Sequence, residues 1–405
     1  MKILQNCPLK NKFAFLLAFF LLIPYCLNFF AQDKKPTKNL VEDKTEDKKE
    51  FNFPFENCWS HSTNSSISNI IASDNAFVHF TTNNSELISI DLSGQIQWKT
   101  EFGGQVTSNL LLKDDSIFLA LKSVGDKTVQ SNESLNQQIK PLNTLRSVNR
   151  VTGVTNWQVK TFDSEKVYLY GFQDNIILIG EEGSIKSVKA STNEVIWENT
   201  FDAKLSSQPF LVDEQAILGT SDGHIIQWSL IGGKKLGKLK VSTIPTAIVM
   251  NTQNRNLLWG DARGSVFAVK NTNLIKSSKK YKNEWQFRNG AKISHLTLTP
   301  AGLLVSSDDN FVYLISYEDG EIVWKKRFAG RISTEPFIVG EFALITTTAE
   351  SDVSVIEMSS GKTVNKISLQ DGNGFTNNPV KIGNQMIFPT FDGTFSFSPN
   401  GCPGD

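Results

Sequence analysis

Ser221, Asp222 and His224 bring a hydroxyl, a carboxylate and an imidazole together, the groups that Ser-His-Asp hydrolases use for acyl transfer. Such a triad depends on the spatial roles of its members, and adjacency within one turn does not supply those roles. The segment also aligns with 307–310 and 390–393, which carry Asp but no histidine. Because Asp and Gly are common in tight turns, we interpret 221–224 as a turn and predict no catalytic residue.

The first 31 residues have the composition of an export signal. Lys2, Lys10 and Lys12 precede an apolar run over 13–31. Within it, 22–26 (LIPYC) resembles the lipobox of bacterial lipoproteins, which makes Cys26 the candidate for lipidation, although Tyr25 stands where a small residue is expected. Two alternatives stay open: ordinary cleavage near Ala31, and an uncleaved anchor, since 19 apolar residues can just span a bilayer. All three place the rest of the chain outside the cytoplasm.

Residues 32–50 are charged and polar, and 33–50 contain six lysines and six acidic residues. The stretch has too little apolar surface to offset the conformational entropy that it would lose on folding. We therefore interpret it as a flexible linker to a domain over 51–405. Lys and Arg together equal Asp and Glu at 41 each, and a net charge of zero gives no reason to expect a nucleic-acid partner.

The domain over 51–405 contains a repeat of about 40 residues. Each copy has short alternating strands, then a turn with Gly or Asn, then an anchor residue four positions later that is usually Trp. The anchors are Trp59, Trp98, Trp157, Trp197, Leu236, Trp285, Trp324 and Asn365. Four strands at this period are typical of a β-propeller blade, so we predict an all-β fold of four-stranded antiparallel blades.

The ends of the repeat array predict how the ring closes. After Asn365 the chain supplies three strands, whereas Trp59 is an anchor with no strands of its own copy before it. We therefore expect the strand around 55–60 to complete the last of eight blades, which removes exposed sheet edges. Cys58 and Cys402 would then meet in that blade, and we predict a disulfide between them because paired cysteines are typical of exported domains.

Two copies exceed the period. One carries an insertion over 122–143, between the second and third strands of blade 2, and the other an insertion over 271–283, between the third and fourth strands of blade 5. Successive turns of antiparallel strands lie at opposite ends, so the two insertions should project from opposite faces.

The repeats at 87–98 (LISIDLSGQIQW), 187–197 (SVKASTNEVIW) and 313–324 (YLISYEDGEIVW) resemble the PQQ-like repeat family, and the resemblance extends over 51–405. It implies that the anchor tryptophans pack between neighbouring blades. Quinoprotein enzymes of the family use adjacent cysteines, a calcium ion held by carboxylate and amide groups, and an Asp base. This sequence has no adjacent cysteines and its acids fall mainly at turn positions, so we expect no cofactor and no metal.

An export signal, a tether and an eight-bladed propeller of this repeat type resemble the lipoprotein scaffolds of the machinery that assembles outer-membrane β-barrels. The resemblance implies a non-enzymatic protein on the periplasmic side of the outer membrane that contacts the barrel-assembly subunit through loops on one face, as a monomeric propeller within a complex. Two alternatives stay open. One is an envelope-anchored propeller that binds another protein or a glycan, and the more remote one is a PQQ-dependent dehydrogenase.

We predict that the mature protein carries acyl chains on Cys26 and partitions into detergent, because 22–26 approximates a lipobox. Mass spectrometry of the N-terminal peptide should show the acyl mass, and Cys26→Ala should abolish it and release the protein from membranes. Cys7→Ala, which changes a leader residue before the apolar run, is the control. Unchanged processing and membrane association in Cys26→Ala would refute lipidation.

Overall fold

The computed structural model describes residues 54–73, 76–123, 142–270, 282–332, 334–348, 351–369, 374–398 and 402. Every regular element in these ranges is a β-strand. Nowhere in them is there a helix with the length and apolar character needed to cross a membrane.

In the described part of the chain, thirty-three strands form eight sheets. In chain order they are β1 (Glu56–Ser62), β2 (Ile67–Ser73), β3 (Phe77–Thr82), β4 (Glu86–Asp91), β5 (Ile96–Glu101), β6 (Gly104–Val106), β7 (Leu111–Lys113), β8 (Ser116–Ser123), β9 (Leu142–Asn149), β10 (Thr155–Lys160), β11 (Val167–Phe172), β12 (Asn175–Gly180), β13 (Ser184–Lys189), β14 (Val195–Thr200), β15 (Phe210–Val212), β16 (Gln215–Thr220), β17 (His224–Ser229), β18 (Lys235–Lys240), β19 (Pro245–Asn251), β20 (Asn256–Asp261), β21 (Ser265–Lys270), β22 (Trp285–Arg288), β23 (Ile293–Thr299), β24 (Gly302–Ser307), β25 (Phe311–Ile315), β26 (Ile322–Arg327), β27 (Phe337–Val339), β28 (Phe342–Thr346), β29 (Asp352–Glu357), β30 (Thr363–Ser368), β31 (Val380–Ile382), β32 (Gln385–Thr390) and β33 (Gly393–Ser398).

Each sheet is one antiparallel blade, and we name its strands A to D in spatial order. Blade 1 is β2-β3-β4-β5, and the following blades repeat this order along the chain. In blade 2, strand A is divided into β6 and β7, which both pair with β8. Blade 8 has the order β31-β32-β33-β1, so the N-terminal strand supplies strand D beside β33. The predicted eight-bladed propeller and its mode of closure are confirmed.

Strand A is the innermost strand of each blade, since the first strands of neighbouring blades contact one another, as β19 does with β23 and β2 with β31. The apolar core lies between blades. One cluster combines Ile217 and Leu239 of blade 4 with Met250 and Trp259 of blade 5. Full burial of a large apolar side chain contributes about 1.5–3 kcal/mol, so each joint between blades is stabilised by its own core.

Six joints also carry a hydrogen bond from a strand D tryptophan. The indole N–H donates to a backbone carbonyl in the C–D turn of the next blade, at N···O distances of 2.6–3.2 Å. The pairs are Trp59 with Leu92, Trp98 with Arg150, Trp157 with Ala190, Trp197 with Leu230, Trp285 with Tyr317, and Trp324 with Met358. We call this arrangement the Trp–turn contact.

The turn that receives the indole needs a residue in the left-handed conformation, which is Gly in five of the six turns and Asn193, at a φ of 58°, in the turn that receives Trp157. At Gly153 φ is +71°, and a Cβ there would lie 2.5 Å from the Trp98 ring. Only Gly offers this conformation without steric cost, which explains the Gly in the repeat.

The pairing register of strand D shows that one predicted anchor residue is misplaced. A β-bulge precedes the anchor position, so that Trp197 pairs with Ser187 in blade 3 and Gly237 pairs with Gln227 in blade 4. Leu236 is therefore the bulge residue, and Gly237 takes the anchor position in blade 4. The prediction of Leu236 as an anchor was wrong by one residue. No aromatic residue marks the anchor position in this copy of the repeat, so the prediction took the nearby Leu.

The insertions fall between the strands expected from the sequence. The first separates strands B and C of blade 2, and since β8 extends to Ser123 and β9 begins at Leu142, both strands run into its predicted bounds. The second separates strands C and D of blade 5, β21 and β22. Residues 124–141 and 271–281 lie outside the described part of the chain.

Cys58 and Cys402 form a disulfide within blade 8, with their Cα atoms 5.3 Å apart. Cys58 lies at the bulge of β1, between Asn57 and Trp59, and Cys402 follows β33. The disulfide thus joins strand C to strand D in the one blade whose C and D strands are not consecutive in the chain.

We predict that this disulfide forms in the exported protein and stabilises the closed ring. It encloses 344 residues, for which the chain-entropy model gives roughly 5–6 kcal/mol as an upper value. Replacing both cysteines by Ser should lower the free energy of unfolding by about 2–5 kcal/mol in urea titrations. A non-reducing peptide map should show the two peptides linked, and recovery of both as free thiols from freshly exported protein would contradict the prediction.

Candidate functional site

The axis of the propeller is a channel lined by strand A residues, and by the residues just before them, from all eight blades. It contains two cavities of about 730 and 420 Å³. Four residues line both, namely Tyr170, Gln208, His295 and Glu335. We call the larger cavity the vestibule, the smaller one the chamber, and these four residues the neck.

The vestibule is polar. Its lining comes mostly from positions at the start of strand A, including Asn69, Asn109 and Asn378, with Glu165 and Lys166 from blade 3. Because strand A starts where the chain arrives from strand D of the preceding blade, the vestibule lies toward the face that carries the D–A connections. Amide and hydroxyl groups predominate there, which suits a ligand or chain segment that forms hydrogen bonds.

The chamber is apolar and lies toward the opposite end of strand A. Apart from the neck residues, three neighbouring blades line it, with Phe210 and Leu211 of blade 4, Ile248 of blade 5, and Leu296 and Leu298 of blade 6 among the lining residues. The channel therefore changes from polar to apolar along its axis, with the neck at the transition.

Glu335 supplies a carboxylate to the neck. Its side chain is accessible from the channel, and Thr297 Oγ1 donates a hydrogen bond to Oε1 at 3.2 Å. Protein atoms surround it on its other sides, and this partial desolvation raises the pKa of the carboxyl, while the hydrogen bond from Thr297 opposes the rise. Among the described residues, no Lys or Arg pairs with Glu335.

The other titratable groups of the neck are neutral near pH 7. Burial, reinforced by the charge of Lys292, lowers the pKa of His295 to about 4, with Asp308 opposing. Burial also raises the pKa of Tyr170, whose hydroxyl donates to the Pro209 carbonyl oxygen at 2.7 Å. The neck therefore combines one carboxylate with two aromatic rings.

The candidate triad at 221–224 is a B–C turn, as the structure places Ser221, Asp222 and Gly223 between β16 and β17. Thr220 Oγ1 donates to Asp222 Oδ1 at 2.6 Å, and His224 Nδ1 lies 2.9 Å from Oδ2. Burial raises the pKa of Asp222, but the contacts with Thr220, His224 and Lys238 outweigh it and lower that pKa. The Asp222 carboxylate thus stabilises the B–C turn through these contacts.

The remaining predicted site residues are distributed around the ring. Five of the six anchor tryptophans, Trp59, Trp98, Trp157, Trp197 and Trp324, are half-buried, Trp285 is buried, and each contacts the next blade. The candidate lipidation site, Cys26, lies outside the described residues. Among the described residues, those singled out in the sequence therefore lie in several blades rather than in one cluster.

Sequence reasoning missed the channel. Its lining comes from eight short segments that are far apart in the chain, and only the repeat gave a signal for aligning them. The sequences 207–210 (SQPF) and 334–337 (TEPF) differ by Gln208 against Glu335 immediately before a Pro. That comparison could have located the carboxylate.

The family model described as outer membrane protein assembly factor BamB matches residues 142–273, from β9 to just past β21. None of the curated proteins matches the sequence. Among solved structures, BamB from Moraxella catarrhalis is 14% identical, with a TM-score of 0.65, over 85% of this chain and 99% of its own. The computationally designed Ika8 protein is 15% identical, with a TM-score of 0.65, over 84% and 98%. The C-terminal WD40 domain of Sif2 is 13% identical, with a TM-score of 0.67, over 87% and 100%.

These likenesses to solved structures concern the fold, since every identity is low. Together with the blade count and the matched repeats, they define the class: the chain is an eight-bladed β-propeller with PQQ-like repeats. Within that class it resembles BamB, the protein for which the matched family model is named.

We predict that His295 contributes to loss of stability in acid. The unfolded chain takes up the His proton near pH 6.5, whereas the folded protein resists it down to about pH 4, so stability falls as pH decreases through this window. The difference corresponds to about 3 kcal/mol at most. His295→Gln should reduce the acid slope of the unfolding free energy, and Ser294→Ala, which changes a non-titrating neighbour, should not. An NMR titration that places the pKa of His295 near 6.5 would contradict the prediction.

Proposed function

We propose that the protein is a non-enzymatic scaffold of the cell envelope that assists the assembly of outer-membrane β-barrel proteins through protein–protein contacts. The match of residues 142–273 to the model of an outer-membrane assembly factor carries the proposal. The leader and linker expected over 1–50 support it, because they would hold the propeller at a membrane outside the cytoplasm.

A surface on one face offers a binding area for such a partner. Of the twelve large apolar side chains that are exposed among the described residues, ten lie in a C–D turn or at the start of strand D. Seven of these ten belong to blades 1–4, and we call them the apolar arc: Ile96, Val151, Val154, Val195, Ile196, Ile231 and Leu236.

The Trp–turn contacts connect the arc across blades. Trp98 lies on the turn that carries Val151 and Val154, and Trp197 lies on the turn that carries Ile231. These tryptophans are only half-buried, so they add apolar surface between the exposed residues. All C–D turns lie at the same end of the blades, which places the arc on the face opposite the D–A connections.

An exposed apolar surface of this extent indicates a protein interface more than a solvated rim. Isolated exposed Val or Ile residues are normal, but ten concentrated in one structural position on one face are a pattern. The arc ends at blade 4. The next C–D connection, in blade 5, contains the insertion, and its residues 271–281 lie outside the described part of the chain.

The proposal is tested by affinity capture from detergent-solubilised envelopes, with the barrel-assembly subunit quantified by mass spectrometry. Val195→Glu combined with Ile196→Glu should reduce its recovery about tenfold or more, because charges at an apolar interface are desolvated without a partner. Ile244→Glu is the matched control, since Ile244 is 45% exposed, close to the 46% and 47% of Val195 and Ile196, but lies in a D–A connection on the opposite face.

The outcomes separate the claims. Recovery of the subunit by the unaltered protein supports barrel assembly, and its loss in the arc variant with a retained melting temperature assigns the interface. Equal recovery with both variants would remove the arc from the interface. Recovery of a different envelope protein, or of a glycan, in place of the subunit would favour the alternative propeller function and overturn the proposed one.

A further inference from the structure

We propose that the central channel binds an ammonium group carried on an apolar body, with the ammonium at Glu335 in the neck and the apolar body in the chamber. This site is independent of the proposed scaffold function, since it faces the axis and the apolar arc lies on the outer strands.

The charges of the channel favour a cation. Glu165 at the vestibule is paired with Lys122, and the ammonium of Lys166 lies 4.9 Å from the centre of the Tyr168 ring. Glu335 receives only the hydroxyl hydrogen bond from Thr297 and has no cationic partner among the described residues. Glu335 is therefore a carboxyl group of the channel without a cationic partner among the described residues.

The neighbours of Glu335 reinforce this preference. Tyr170 and His295 present aromatic rings without positive charge, and a cation is attracted to the face of an aromatic ring. Among the described residues that line either cavity, Lys166 is the only Lys or Arg. An anionic ligand would find little to pair with, whereas an ammonium would gain a charge-assisted hydrogen bond.

The chamber sets the rest of the ligand. Its wall of Phe210, Leu211, Ile248, Leu296 and Leu298 offers no charged group, and its volume of about 420 Å³ accommodates an aryl or alkyl group. Two sources share this chemistry: a free arylalkylamine, and a polypeptide segment with Lys next to a bulky apolar side chain, whose backbone the polar vestibule could receive.

The first experiment is calorimetry on the exported protein with 3-phenylpropylamine and its neutral analogue 3-phenylpropan-1-ol. The amine should bind about tenfold tighter or more, a ratio expected for a hydrogen-bonded charge pair. Glu335→Gln should remove that difference. This substitution places in blade 7 the residue that blade 4 carries at Gln208, so the fold already accommodates it.

Glu341→Gln is the matched control, because Glu341 lies in the turn between β27 and β28 of the same blade and lines neither cavity. It should leave amine binding unchanged. A second variant, Ala247→Leu, fills part of the chamber with a larger side chain. It should weaken the binding of 3-phenylpropylamine and leave the ratio of amine affinity to alcohol affinity unchanged. Retained melting temperatures exclude loss of fold.

An acetylated, amidated peptide with adjacent Phe and Lys distinguishes the two sources. Binding of the peptide at least as tight as that of the free amine, with the same dependence on Glu335, assigns a polypeptide segment. Binding of the free amine alone assigns a small amine. No binding of either probe, equal affinity for amine and alcohol, or unchanged binding in Glu335→Gln would overturn the proposal.

Discussion

The contact between a strand D tryptophan and the C–D turn of the next blade is the constraint on which the ring depends. A four-stranded blade cannot bury both of its faces alone, so stability comes from the joints between blades. At six joints one indole both donates a hydrogen bond and covers the left-handed turn, as Trp324 does with Met358 O and Gly361. Blades 1, 2, 3 and 6 therefore each give one Trp and receive another, which accounts for the regular repeat of the Trp along the chain.

Among the described residues two joints lack the contact, and in both the receiving blade connects its C and D strands differently from the other blades. Blade 4 has Gly237 at the Trp position, and the C–D connection of blade 5 is an insertion. Blade 7 has Asn365 there, and in blade 8 the C–D connection is the disulfide. Large aromatic residues are buried in both joints: Trp259 in the cluster between blades 4 and 5, and Phe388 and Phe397 of blade 8 in the cluster shared with blade 7. Among the described residues, the strand D tryptophans thus occur at the joints where the next blade has a short C–D turn.

This dependence explains how far the sequence predicted the structure. The anchors repeat because they obey one contact, so the blade number and the closing strand could be derived. The packing of Trp98 and Trp157 between blades was expected from the resemblance to PQQ-like repeats. Leu236 was misplaced because Gly237 obeys no such contact and has no recognisable side chain. The carboxylate of Glu335 escaped notice because Glu335 lies just before strand A and lines the open axis, where no periodic side chain is required.

That freedom has a physical consequence for the channel. The residue before Pro at the start of strand A is Gln208 in blade 4, Glu335 in blade 7 and Asn378 in blade 8. Proline restricts the preceding residue to extended conformations, so the three side chains leave similar backbones. The joints hold the blades through outer strands and interblade cores, which places few packing demands on these inner positions. A single carboxylate can therefore give the channel its charge without disturbing the contacts that hold the ring.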